Sequence, residues 1–190
     1  MSTTLTRRAA LFAAAALPVT SALMPRPVLA AAELQGAQTP VFNRFKLGAF
    51  EVTTLLVGTR PVKKPNEIFG LNATPEEFSA AAQENFLPAD VAQFYFTPTL
   101  VNTGRELVLF DTGLSAAGTI ATLGAAGISP SQVDVVVLTH MHGDHIGGLT
   151  QDDGTATFAN AHYVTGAVEH NHWAASGNEG FDKLVKPYNE

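Results

Sequence analysis

Apolar and polar positions switch between strand-like and helix-like periods from residue 45 onward. Phe45 to Val57 is rich in β-branched and aromatic residues and reads as one or two strands, with Gly48-Ala49 as the turn. Gly58 to Asn72 carries Pro61, Pro65 and Gly70 and reads as an extended loop. Thr74-Pro75-Glu76-Glu77 opens a helix: Thr74 can cap it, Pro75 suits the first helical position, and Glu77 completes a capping box. That helix runs to about Phe86. Gln93 to Asn102 and Glu106 to Asp111 read as two strands joined at Thr103-Gly104-Arg105. Leu107-Val108-Leu109-Phe110 is apolar at every position, which predicts a central strand. A helix follows from Ser115 to Ala126 with Gly127 at its C′ position, and Val133 to Thr139 is another nearly continuous apolar strand. Strand, helix, buried strand predicts a parallel crossover, and so an α/β fold.

The first residues have a different character. Paired Arg7-Arg8 precede an Ala-rich apolar stretch from Ala9 to Leu17, too short to span a bilayer and interrupted by Pro18 and Pro25. Small residues at Val28-Leu29-Ala30 and Ala30-Ala31-Ala32 suit cleavage. Residues 1–32 therefore read as an export signal of twin-arginine type, with a general secretory signal as the alternative, and residues 33–190 as the mature domain. The expected location is periplasmic or secreted, without stable membrane insertion after cleavage.

Composition narrows the chemistry. Hydrophobic residues make up 46% and charged residues 15% of the 190, which excludes a disordered chain. No cysteine is present, so a thiolate metal site, a Cys nucleophile and a disulfide scaffold are all excluded. Any metal must be held by His and carboxylates. The net charge of −6 becomes −9 without residues 1–32, which hold three arginines and no acid, leaving 8 basic against 17 acidic residues. With no basic block longer than Lys63-Lys64, a nucleic-acid partner has no electrostatic footprint. A small-molecule substrate is the expected partner, and a homodimer stays open.

The densest chemistry is His140-Met141-His142-Gly143-Asp144-His145, directly after the second apolar strand and followed by Ile146-Gly147-Gly148. Three imidazoles and a carboxylate within six residues suit zinc or a similar divalent ion. Glycines on both sides of His145 allow the tight backbone that lets such side chains converge. The loop also falls at the carboxyl end of a strand, where open α/β sheets place their sites. A polar surface turn is the alternative, and three His with one Asp in six positions weigh against it.

This run resembles the signature of metallo-β-lactamase-fold hydrolases. The likeness extends to Asp111-Thr112-Gly113, Leu138-Thr139, Gly147-Gly148-Leu149 and Phe158 to Val164, covering about Phe45 to Glu190. It is similar above all to the branch of methyl-parathion hydrolases and quorum-quenching lactonases. The resemblance implies a four-layer αβ/βα sandwich and two zinc ions. His140 and His142 would hold the first ion, Asp144 and His145 the second, and a metal-bound hydroxide would attack a lactone, carboxylester or phosphotriester. Asp144 would also act in catalysis by orienting the nucleophile or taking its proton. Asp111 would support the loops through hydrogen bonds rather than bind metal.

Family members take further ligands from a downstream half, and after His145 this chain has only His162, His170 and His172. The expectation is a C-terminally truncated chain holding the N-terminal half to two-thirds of the domain, and the alternative function is a non-catalytic fragment with an incomplete metal site. His162 reads as a strand residue. His170 and His172, at i and i+2 of a helix over 166–175, do not face each other and cannot chelate one ion together. Trp173 reads first as helix packing, and by the resemblance as an aromatic at the pocket entrance.

Overall fold

The computed structural model describes residues 39–189; the export signal read at residues 1–32 lies outside them. Gly48 takes a φ of 61° and turns β1 (Phe42–Leu47) back onto β2 (Phe50–Leu55), the hairpin expected at Gly48-Ala49. The chain then leaves this sheet. β3 (Gly58–Lys63) pairs antiparallel with β4 (Val91–Phe96) in a separate two-stranded sheet. The loop expected over Gly58–Asn72 is thus corrected in its first half. Pro61 is compatible with a strand because β3 pairs along one edge only.

Between those strands lies α1 (Pro75–Glu84), which starts where the sequence places it, with Thr74 and Glu77 forming a reciprocal capping box. The strand expected over Gln93–Asn102 is divided at Thr97-Pro98 into β4 and β5 (Thr99–Asn102), which belong to different sheets. Pro98 has no N–H to give a ladder, and its carbonyl accepts instead from the Leu55 N–H at 2.9 Å.

β5, β6 (Leu107–Phe110), β7 (Val135–Leu138) and β8 (His162–Thr165) complete a six-stranded sheet in the order β1-β2-β5-β6-β7-β8. β6 is flanked on both sides, as its apolar run predicts. From β6 to β8 the strands are parallel. The β6–β7 crossover is α2 (Ala116–Ala125), capped by the Ser115 side chain and closed by Gly127 at φ 79°. The fold is α/β, as read from the sequence.

Side chains alternate across this sheet. Leu100, Leu109 and Val136 fall in register on one face and pack in a single core with Leu123 of α2, Phe158 and Phe181. On the opposite face Phe110 and Val164 remain 37% and 49% exposed. The buried face extends past the end of β7: Met141, Ile146 and Leu149 join the same core. These three anchors hold a polar loop in place from within its own sequence.

Candidate metal centre

Polarity breaks sharply where β7 ends. Thr139 and His140 leave the strand, His142 caps a single helical turn, α3 (Gly143–Ile146), and that turn carries Asp144 and His145. His140, His142 and His145 are brought together: the His140 and His145 rings lie 3.8 Å apart between centroids, and His140 and His142 4.6 Å apart. His140 Nε2 is 3.1 Å from His142 Nδ1. A tetrahedral ion bound at roughly 2.0–2.1 Å sets two donors about 3.3 Å apart, so this pair fits one ion in spacing and chemistry. Burial, then the neighbouring His145 and His142, hold the His140 pKa below the ordinary imidazole value, which favours the neutral ligand form.

The second pair is organised by Asp111. This residue sits at φ 62°, a left-handed conformation that carboxylate and amide residues tolerate best among non-glycines. The turn aims its carboxylate across the strand ends. Oδ1 accepts from the Thr139 N–H at 2.8 Å, and Oδ2 accepts from the Thr139 hydroxyl and from His145 Nδ1, each at 2.8 Å. An Nδ1–H committed to a carboxylate leaves Nε2 as the free lone pair, the tautomer a metal ligand requires. Asp144 Oδ2 lies 3.5 Å from that Nε2. Asp111 itself faces His145 and Thr139, in keeping with a supporting role.

Backbone contacts bind the two loops. The Thr112 N–H and hydroxyl both donate to the His145 carbonyl at 2.8 Å, and the Gly148 N–H donates to Thr112 Oγ1 at 3.1 Å. A Cβ built on Gly148 would overlap the Thr112 carbonyl, and one on Gly147 would overlap that of Leu114. The two glycines serve close backbone approach as well as turning.

Sequence reasoning passed over Glu169. It lies on α4 (Ala167–Ser176), where its Oε1 accepts from the Met141 N–H at 3.0 Å and from the Trp173 indole at 2.6 Å. The Met141 N–H is the leading cause that holds its pKa below the ordinary carboxylate value. Nothing in a lone Glu of a helix's first turn signals this. Trp173 stands edge-on to His142 with centroids 5.8 Å apart. A cleft of about 160 Å³ beside Asp111, Asp144 and His145 is lined by Tyr95, Phe96, Thr97 and Pro98, and not by Trp173.

His172 stands edge-on to Trp173 at 5.9 Å between centroids, and the remaining two histidines make other contacts. His162 opens β8, and His170 Nε2 is 3.0 Å from Asn189 Oδ1. Among the described residues, no three His, Asp or Glu side chains converge into a complete ligand set for one ion.

The chain is thus a mixed α/β sheet with a His- and Asp-rich loop at the carboxyl end of a parallel strand. Residues 97–189, just under half of the chain, match the Metallo-beta-lactamase superfamily. It is similar to ribonuclease Z of Nocardia farcinica, 39% identical over 85 residues that make up 45% of this chain and 26% of that protein. Among solved structures it resembles the hydrolase AbOPH of the beta lactamase superfamily (26% identity, TM-score 0.69, 80% of this chain and 59% of that one). It shares the fold of AidC, a dizinc quorum-quenching lactonase (22% identity, TM-score 0.67, 79% and 57%). The chain thus spans between about half and two-thirds of the length of these structures, and a smaller share of the curated relative.

Asp111→Asn tests the support given to His145. Asparagine tolerates φ > 0 and can still accept from the Thr139 N–H, but its amide nitrogen cannot accept from His145 Nδ1. The expected outcome is a fall in zinc affinity of roughly 10–100-fold with little change in fold, read by chelator competition and circular dichroism. Unchanged affinity would show that Asp111 does not set the ligand tautomer.

Proposed function

We propose that this chain carries the metal-binding half-site of a zinc-dependent hydrolase acting on an ester-like bond: lactone, carboxylester or phosphotriester. The observation that supports it is the assembly of His140, His142, Asp144 and His145 in one loop, with Asp111 fixing the His145 tautomer. His140 and His142 would hold one ion, Asp144 and His145 a second. Zinc bound there supplies Lewis acidity and a water acidic enough to react at neutral pH. The protein's own contribution is positional. Asp111 keeps the proton on His145 Nδ1, the Asp144 carboxylate would orient the nucleophile or take its proton, and Phe96 and Tyr95 line the cleft. A nucleic-acid substrate, suggested by the ribonuclease Z relatives, gains no support from a chain with a net charge of −6.

A second reading, metal binding without turnover, is favoured by one observation: the described residues give each ion two donors, where catalytic zinc takes three and a water. The 190-residue chain is therefore expected to hold zinc weakly and to show no hydrolysis above background, as elemental analysis and a lactone and aryl-ester assay would reveal. Reading the gene past the codon for Glu190 and assaying the encoded protein separates the two readings. Stoichiometric zinc with no turnover on lactones, carboxylesters or phosphotriesters would sink the hydrolase proposal.

We also infer export, with residues 1–32 as a twin-arginine signal ahead of the metallo-β-lactamase-like portion at 33–190. Arg7-Arg8→Lys-Lys keeps the charge but loses the guanidinium pair that serves as the address. The precursor of that variant should accumulate in the cytoplasm. Its normal export would point to the general secretory route.

A further inference from the structure

Two carboxylates hold the loop after β7, and they reach it from opposite sides of the sheet. β7 lies between β6 and β8, and both neighbours run parallel to it. Asp111, the first residue past β6, accepts from the Thr139 N–H at 2.8 Å. Glu169, in the first turn of the helix that follows β8, accepts from the Met141 N–H at 3.0 Å. The two bonded N–H groups flank His140, and Met141 joins His140 to His142.

Met141 is fixed from two directions. The β7–β8 ladder ends with Leu138 opposite Thr165, so strand pairing does not extend to its amide. Its side chain is buried in the core, and its N–H turns instead to Glu169. A residue held at both side chain and amide has little freedom to rotate. The Cα–Cβ directions of the imidazoles on either side of it are restricted accordingly.

Glu169 also reaches His142 through a ring. The same oxygen, Oε1, accepts from the Trp173 indole N–H at 2.6 Å, one helical turn further along α4. The indole held in this way stands at 90° to the His142 ring. An acid in a first helical turn ordinarily caps the helix or complements its dipole. Here α4 begins at Gly166 without a side-chain cap, and both hydrogen bonds of Glu169 go to Met141 and Trp173. Bonds to an ionised acceptor are stronger than neutral ones, which suits a strut between two elements.

We propose that Glu169 is a positioning residue of the metal loop. It clamps the His140–Met141 peptide from the β8 side, as Asp111 holds the loop from the β6 side, and it fixes the His142 ring through Trp173. The consequence for zinc rests on the hydrolase reading; the clamp on the loop does not.

The test sets reach against charge in the 190-residue chain. Glu169→Asp keeps the negative charge in the first turn of α4 but withdraws the carboxylate by one methylene from Met141 and Trp173. Glu169→Gln keeps the reach and an accepting oxygen but loses the charge. Without zinc, amide exchange at Met141 should be about tenfold faster or more in Glu169→Asp, with Leu109 and Val136 in the core unchanged. In a calorimetric titration, zinc should bind Glu169→Asp about tenfold more weakly or worse than the parent. Glu169→Gln should retain most of both properties. Trp173 is the one tryptophan of the chain, so its emission reports the contact with His142. Zinc should change that emission in the parent and much less in Glu169→Asp.

The reverse ranking, with Glu169→Gln damaging and Glu169→Asp silent, would assign Glu169 to charge alone and overturn the proposal. Met141 exchange at the parent rate in Glu169→Asp would overturn it too, as would an equal rise at Leu109 and Val136, the mark of general destabilisation. Faster Met141 exchange with parental zinc affinity would overturn the positioning role, and a full emission response in Glu169→Asp would overturn the route through Trp173. A parent chain that binds no zinc would defeat the metal reading alone, because exchange measured without zinc still decides the clamp.

Discussion

Gly148→Ala should cost about 3 kcal/mol or more in a chemical denaturation experiment and should loosen the metal loop. The new methyl group would overlap the Thr112 carbonyl oxygen, a backbone atom that cannot swing aside as a side chain would. Relief requires the loop after His145 to move away from Asp111-Thr112-Gly113. That movement breaks the Gly148 N–H to Thr112 Oγ1 bond and strains the two bonds from Thr112 to the His145 carbonyl. Because Asp111 precedes Thr112, the carboxylate that orients His145 shifts with it. Zinc affinity should therefore fall together with stability. Gly143→Ala is the matched control, since a Cβ there meets no neighbour within 4 Å. If Gly148→Ala unfolded within about 0.5 kcal/mol of the parent, the tight packing of the two loops would be wrong.

His142→Ala is expected to have the largest functional effect. It removes one of two imidazole nitrogens held 3.1 Å apart, leaving His140 as the lone histidine donor for that ion. Loss of a direct ligand should exceed the roughly 10–100-fold cost of losing a supporting contact, so zinc affinity should fall by more than for Asp111→Asn. Hydrolysis, in a form of the protein that retains zinc, should fall in parallel. His142 is exposed and its ring touches Trp173, so stability should change little. Chelator competition on both variants beside His162→Ala gives the ranking. His162→Ala matching His142→Ala in zinc loss would move the site away from the loop proposed here.

The His140–His145 loop was legible as a candidate site because its signal is local. Three His and one Asp in six residues after an apolar strand need no long-range information to be recognised. The capping box at Thr74, the Gly48 turn and the Ser115–Gly127 helix were legible for the same reason: each is written in adjacent positions. Glu169 was not, because its partner Met141 is 28 residues away and reached only when α4 packs beside the loop. The division at Thr97-Pro98 was also hidden. Gln93 to Asn102 reads as one strand despite Pro98, and only the pairing of each half with a different partner shows that it turns from one sheet into another.

By itself, then, the sequence determined the α/β class and the central apolar strands, and it singled out the run of residues proposed to bind metal, since these follow from periodicity and residue chemistry along the chain. The tertiary structure alone decided which side chains meet. It placed Asp111 on His145 across 34 residues, pressed Gly148 against Thr112, and brought the β4–β5 corner to the cleft. The reason is physical: hydrogen-bond partners and backbone approach depend on strand order and register, and a pattern of polar and apolar positions constrains each strand's faces without naming its neighbour.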